Sequence, residues 1–360
     1  MKKIFIFGYY GFNNIGDEAI LEAIVGQFKI MQPEMSLTAL SYNAAETKRR
    51  YGIQAVSRNR FWDVFQSIRE SHLVMSGGGS ILQDVTSSRS LMYYLGIILL
   101  AKFCGKKVAF YGNGFGPVQR LFNRQLVKHI INQVDLITVR DQESKSVMEK
   151  MGIRRKILVT ADAAFTLKSS ENNETKIFSV QPGKRVGISV RKWKNQSNYL
   201  PVIAACADQL VLKGYKIFYL PMQPPGDSHV AQEAMALMQH EAQLVTVGDT
   251  PQEMIDLIAE MDFVIGMRLH ALIFAAIAGV PMVGLSYESK ITSFLKRVEQ
   301  PCAGEVESLT YDQLMASVES LLEKKEYFQL KLMENQTDLR HKAMETTNMI
   351  REFLVEGDEV

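Results

Sequence analysis

Cysteine is scarce in this 360-residue chain. Its three cysteines, Cys104, Cys206 and Cys302, lie far apart and lack metal-type spacing. That excludes a disulfide framework or a zinc module, and they read as reduced core residues of a cytosolic protein. Long apolar runs are also missing. The longest, about Leu91 to Cys104, is broken by Lys102 and falls short of the roughly 20 residues a bilayer span needs. Met1-Lys2-Lys3 followed by IFIFGYYG is too brief for a signal peptide, because an Asn/Gly/Asp loop interrupts it. Charge excess is absent: the formal net charge is +2, so no nucleic-acid partner is implied, and only a local basic face would serve an anionic substrate or a membrane surface. No G-x-G-x-x-G follows the first strand, which argues against a nicotinamide enzyme. No His/Cys/carboxylate cluster has ligand spacing, so neither metal nor cofactor is expected.

What is present is ordinary globular composition, with 47% hydrophobic and 22% charged residues, in a length that suggests two domains. Short apolar runs alternate with helical patterns. Strands are expected at 3–8, 36–40, 72–76, 107–111, 136–139 and 156–159. Helices are expected at 18–31, 61–69, 89–103, 121–132 and 141–151. Polar 169–176, SSENNETK, reads as a linker. The pattern then restarts, with strands at 185–190, 216–220, 244–247, 262–266 and 282–285. Their helices fall at 199–213, 227–239, 251–260 (Thr250 as cap), from Leu269 to Gly279, and at 289–298. From Tyr311 to about Phe353 the chain is helical and amphipathic. This order predicts an α/β fold of two Rossmann-like, doubly wound, GT-B-like domains, residues 1–172 and 173–310. A helical tail, 311–360, is expected to pack back on the first domain.

Candidate chemistry clusters where strands end. In GMRLHALIFAAIAGVP, residues 266–281, Arg268 and His270 stand at the start of a helix that no Ser, Thr, Asp or Asn caps. Its first N–H groups are therefore open to an anion. The first strand opens into Gly8-Tyr9-Tyr10-Gly11-Phe12-Asn13-Asn14-Ile15-Gly16-Asp17-Glu18. Asp17 reads either as a helix cap or as a base that activates a hydroxyl, with the asparagines on sugar hydroxyls. Two further glycine-rich loops follow strands: Ser76-Gly77-Gly78-Gly79-Ser80 and Tyr111-Gly112-Asn113-Gly114-Phe115-Gly116-Pro117. Each alone reads equally as a structural turn, whereas three on one sheet edge suggest a backbone-lined cleft. Arg140 and Asp141 close another strand, with Asp141 as a helix cap, and Lys290 lies one βα unit beyond Arg268.

GYYGFNNIGDEAIL, SGGGS, YGNGFGP, TVRD and GMRLHALIFAAIAGVP, in this order, resemble the polysaccharide pyruvyltransferase family, most of all its CsaB type, over roughly the first 300 residues. The resemblance implies transfer of the pyruvyl group of phosphoenolpyruvate, as a cyclic ketal, onto O4 and O6 of N-acetylmannosamine. The acceptor it implies is a lipid-diphosphate-linked disaccharide, met by a cytoplasmic enzyme in peripheral contact with the inner face of the membrane. By position, Arg268, Leu269 (through its backbone), His270 and Lys290 of the second domain, with Arg140 of the first, would bind donor. His270 would be the general acid, Arg140 a further catalytic residue and Asp17 the base. The acceptor would meet Asn13, Asn14, Gly16, Asp17, Gly78, Gly79 and Asn113 in the first domain. A donor with a carboxylate and a phosphate needs two or three fixed cations, which Arg268, Arg140 and Lys290 would supply.

The alternatives are a GT-B glycosyltransferase using a nucleotide sugar, with Trp193 and Tyr287 available for stacking, and a non-catalytic glycan-binding protein. Oligomeric state is not legible. The Lys48-Arg49-Arg50 run is the sequence's candidate for membrane contact and equally a solvated face.

Overall fold

The computed structural model describes residues 2–85, 87–170, 183–194, 198–246 and 250–355. It divides into two compact units, Met1–Thr166 with Leu339–Val360, and Leu167–Asp338. The linker expected at 169–176 lies, from residue 171 on, outside the described residues, as does Val247 of one expected strand.

The first unit is built on seven strands: β1 (Lys3–Phe7), β2 (Ser36–Ser41), β3 (Gln54–Ser57), β4 (Leu73–Ser76), β5 (Lys107–Asn113), β6 (Leu136–Val139) and β7 (Ile157–Val159). All pair in parallel, in the order β3-β2-β1-β4-β5-β6-β7. Continuous apolar runs such as IFIF and LITV suit strands covered on both faces, and β1 is buried from Ile4 to Phe7. Between the strands run α1 (Ile15–Met31), α2 (Ala44–Tyr51), α3 (Phe61–Glu70), α4 (Ser88–Phe103), α5 (Leu121–Ile131) and α6 (Gln142–Met151). One core cluster joins Val64 and Ile68 of α3, Leu91 to Ala101 of α4 and Val127 to Ile131 of α5 to Phe5, Phe7 and Phe110.

The second unit repeats the plan with six parallel strands: β8 (Lys184–Ser189), β9 (Tyr215–Tyr219), β10 (Gln243–Leu244), β11 (Phe263–Gly266), β12 (Met282–Ser286) and β13 (Cys302–Glu305). Their order is β10-β9-β8-β11-β12-β13. The helices are α7 (Tyr199–Leu212), α8 (Gly226–Ala236), α9 (Pro251–Ala259), α10 (Leu269–Ile277), α11 (Ser289–Arg297) and α12 (Tyr311–Glu323). The two-domain, doubly wound, GT-B-like class read from the sequence is the one found.

α13 (Lys325–Val355) is a single 31-residue helix. Its first part belongs to the second unit, where Gln336 donates to the Ile277 carbonyl at 2.5 Å. Its part from Leu339 belongs to the first, where Thr347 meets the Tyr111 hydroxyl at 2.5 Å and Lys107 donates to the Phe353 carbonyl at 3.0 Å. No helix among the described residues is long and apolar enough to cross a membrane.

Three elements escaped the sequence: α2, β3 and β13. QAVS and CAGE are four-residue strands without an apolar run, and AAETKRRY buries only Thr47 and Tyr51. The start of α1 needs correction too. Asn14 is the cap, accepting from the Gly16 N–H at 3.2 Å, and Asp17 sits inside the first turn. Asp141 and Thr250 cap α6 and α9 as read.

Candidate functional site

A doubly wound sheet has a crevice where its crossovers diverge, at the carboxyl ends of the central strands. In the second unit that point lies between β8 and β11, joined at Ser189 and Gly266. Three cations follow those strand ends and that of the neighbouring β12.

Arg268 stands at the N-cap of α10, with no side-chain cap bond, so the positive end of the helix dipole lies beside a cation. Its Nε donates to Asp227 Oδ2 at 2.9 Å, and one terminal nitrogen donates to Asp227 Oδ1 at 2.5 Å and Gln223 Oε1 at 3.2 Å. Asp227, buried, also accepts the N–H groups of Met222 and Gln223 at 3.2 and 2.9 Å. This two-pronged pair fixes the guanidinium plane, and Nη1 has no hydrogen-bond partner among the described residues. His270 follows one residue into α10, half-buried, with its ring 6.3 Å from that of Phe274. Lys290 pairs with Glu288 at 2.5 Å in a partly exposed contact and lies 5.4 Å from the Tyr287 ring. Such a pair contributes little, so an incoming anion can recruit the lysine.

The third cation is one the sequence reading passed over. Arg191 follows β8, where Tyr199 donates to its carbonyl at 2.6 Å. Its Nη1 donates to the Tyr287 hydroxyl at 3.0 Å, and its guanidinium lies 4.8 Å over that ring, which packs on Trp193 at 4.7 Å. Among the described residues no carboxylate lies within ion-pair distance of it. Burial opposes the charge of Arg191, but Tyr287, Glu288 and Asp227 outweigh it and hold the pKa above the usual value. The signal was available: Arg191 follows an apolar strand as directly as Arg140 and Arg268 do.

The first unit offers a different set at its own divergence point, between β1 and β4. Gly78 and Gly79 both have left-handed φ, +78° and +69°. A Cβ on Gly78 would come within 2.7 Å of Ile20, and one on Gly79 within 2.9 Å of Asp17 Oδ1. Only glycine lets this loop lie against α1 and bring its backbone to the Asp17 carboxylate. Asn13, exposed and at φ +56°, lies in the strand-end loop that leads into α1, four residues before Asp17.

Other residues expected on the acceptor also carry bonds within the fold. Asn14 caps α1 through the Gly16 N–H, so both are occupied there. Asn113 is 1% exposed and ties Ser76 Oγ and the Gly78 carbonyl together, at 2.8 and 3.0 Å. Arg140 likewise has partners within the fold. It is buried in the first unit, bonded to Asp162 at 3.0 Å and Ser80 at 3.1 Å, with Asp141 at 3.4 Å. Burial works against its charge, and the two aspartates more than restore it, lifting the pKa above normal. A buried arginine requires such counterions, and these leave it a brace between strand ends rather than a free anion receptor. Glu18, beside Asp17 at the start of α1, is buried and accepts from the Gly11 N–H and the Tyr51 hydroxyl, both at 2.7 Å.

Comparison with known proteins decides the family. Residues 14–289 match the model for polysaccharide pyruvyl transferases. The chain belongs to that family. The match takes in Asp17, Arg140, Arg191, Arg268 and His270, and stops one residue short of Lys290. A curated relative, the amylovoran biosynthesis protein AmsJ of Erwinia amylovora, is 25% identical over 287 residues, which span 71% of this chain and 66% of that protein. Among solved structures, S. aureus MnaA in a co-structure with UDP has a TM-score of 0.70 at 14% identity, covering 98% of this chain and 97% of that one. Anabaena HepE in complex with UDP-glucose gives 0.66 at 12%, covering 99% and 100%. E. coli ADP-heptose heptosyltransferase II gives 0.51 at 15%, covering 91% and 100%. At such identities these likenesses establish the fold alone.

Proposed function

We propose that the chain transfers the pyruvyl group of phosphoenolpyruvate to a polysaccharide precursor, forming a cyclic ketal on O4 and O6 of an N-acetylmannosamine residue carried on a lipid diphosphate. The observation that carries the donor assignment is the convergence of Arg191, Arg268 and Lys290 with the uncapped start of α10. A trianionic small molecule calls for several fixed cations and backbone N–H donors at one place. Arg268 is held rigid by Asp227, so its remaining N–H groups are aimed before any ligand arrives. Arg191 brings a charge with no carboxylate at ion-pair distance among the described residues, and the positive end of the α10 dipole completes the receptor.

In the chemistry that follows, one acceptor hydroxyl attacks C2 of the enol phosphate while a proton is delivered to C3. His270 is the acid, because an imidazole holds and releases a proton near neutral pH. Asp17 receives the hydroxyl proton. The second hydroxyl then displaces phosphate from C2 and closes the ketal, its proton leaving with the phosphate. The acceptor belongs to the loops of the first unit, with Asn13, Gly78 and Gly79 as its contacts. Arg140, through Ser80, keeps the triglycine loop in place.

The nucleotide-sugar alternative is disfavoured by Trp193 and Tyr287, which pack on each other and on Arg191 rather than standing open to a base. The test is incubation with phosphoenolpyruvate and a sugar acceptor, following phosphate release and acceptor mass together. Stoichiometric phosphate and a pyruvyl ketal are expected; turnover with a nucleotide sugar alone would sink the proposal.

A further inference from the structure

The first unit carries an apolar patch that the transfer chemistry does not use. Leu121 and Phe122 open α5 and are 77% and 74% exposed, and Val85, in the loop before α4, is 40% exposed. The same two segments carry three arginines: Arg89 in the first turn of α4, Arg120 just before α5 and Arg124 within its first turn, all exposed. Across 83–90 and 116–125 the only acidic residue is Asp84, and it is buried.

The base of the patch is stiff. Asp84 accepts the N–H groups of Gln119 and Arg120 at 2.7 and 3.0 Å. Asn123 donates to Asp84 at 2.8 Å and to Ser88 at 3.1 Å. The Asp84 N–H in turn donates to the Pro117 carbonyl at 3.2 Å, and Leu82 bridges Phe115. The two loops and the starts of α4 and α5 are thereby one block.

Three apolar tips and three exposed arginines, with no exposed acid in these two segments, complement a surface that is negative outside and apolar just beneath. Guanidinium groups pair with lipid phosphates while the apolar side chains enter the outer acyl region. The loops also begin at the carboxyl ends of β4 and β5, the sheet edge that presents Gly78, Gly79 and Ser80. We infer that this patch docks on an anionic lipid bilayer and so delivers the acceptor loops to a lipid-linked substrate. The second half of that statement rests on the function proposed above; the docking does not. The Lys48-Arg49-Arg50 run, the sequence's candidate, is a weaker one, because Arg49 and Arg50 both pair with Glu46, at 2.6 and 3.5 Å.

Co-sedimentation of the full chain with vesicles of phosphatidylcholine, with and without phosphatidylglycerol, tests the docking. Binding is expected only to the acidic vesicles, weakening with salt. It should fall at least roughly tenfold in Leu121→Ser/Phe122→Ser and in Arg120→Gln/Arg124→Gln, but not in the charge-matched Lys48→Gln/Arg49→Gln. Thermal melts should stay at the parent value, and phosphate release with a water-soluble acceptor should be unchanged. Failure of that release in the parent chain as well would count against the transfer reading, leaving the vesicle result to stand by itself. No vesicle binding by the parent chain, equal binding by both patch variants, or a dimer that the same substitutions dissolve would overturn the inference.

Discussion

The two units share one topology and use their strand-end arginines in opposite ways. In the first, Arg140 is 6% exposed and faces two carboxylates, Asp162 and Asp141. In the second, Arg268 is 15% exposed and has one carboxylate, while Arg191 has none at ion-pair distance among the described residues. The difference lies in the counterions. A cation neutralised twice over is a brace, whereas one held by a tyrosine hydroxyl and an aromatic face keeps its field for a ligand.

Substitutions break this contrast in order of effect. His270→Gln should lower kcat by about 10²–10⁴-fold with little change in the KM for phosphoenolpyruvate, as expected for loss of a general acid; steady-state phosphate release measures it. Full turnover would remove the assignment. Asp162→Ala should act on stability instead. Taking the nearer of its two counterions from the buried Arg140 should cost about 1–3 kcal/mol in urea unfolding, without a selective change in donor KM. Arg191→Ala should reverse that pattern, raising donor KM by about tenfold or more at near-parent stability.

These effects follow from features the sequence displayed unevenly. Both sheets apart from their edge strands β3 and β13, and the positions of Asp17, Arg140, Arg268, His270 and Lys290 after strand ends, were legible, because buried parallel strands are continuous apolar runs. The partners of those residues were not. Asp227 lies 41 residues before Arg268, and Asp162 lies 22 after Arg140, so nothing local marks either pair. The partners of Asn14 and Asn113 were hidden for a related reason. An asparagine in a glycine-rich loop reads the same whether or not it also bonds the loop's own backbone, as both do here.

A smaller effect is a pH dependence. Burial raises the cost of the Asp84 charge, but the N–H groups of Gln119 and Arg120, with Asn123, hold its pKa below the usual carboxylate range. A depressed folded pKa adds stability above the unfolded value, about 3.9, that is lost as pH falls through the folded value. Asp84→Asn should therefore be less stable than the parent at neutral pH and converge with it under acid, as unfolding curves at several pH values would show. The smallest effect is chemical. Burial lifts the Cys206 thiol to about 12, so thiol reagents at pH 8 should leave it unmodified in the folded chain and modify it after denaturation.

Titration calorimetry with phosphoenolpyruvate tests the central contrast most directly. Binding should be present in the parent chain, lost or at least tenfold weaker in Arg191→Ala and Arg268→Ala, and retained in an Arg140→Gln variant whose melt shows it folded. Undiminished binding in both second-unit variants, or a loss confined to Arg140→Gln, would contradict it.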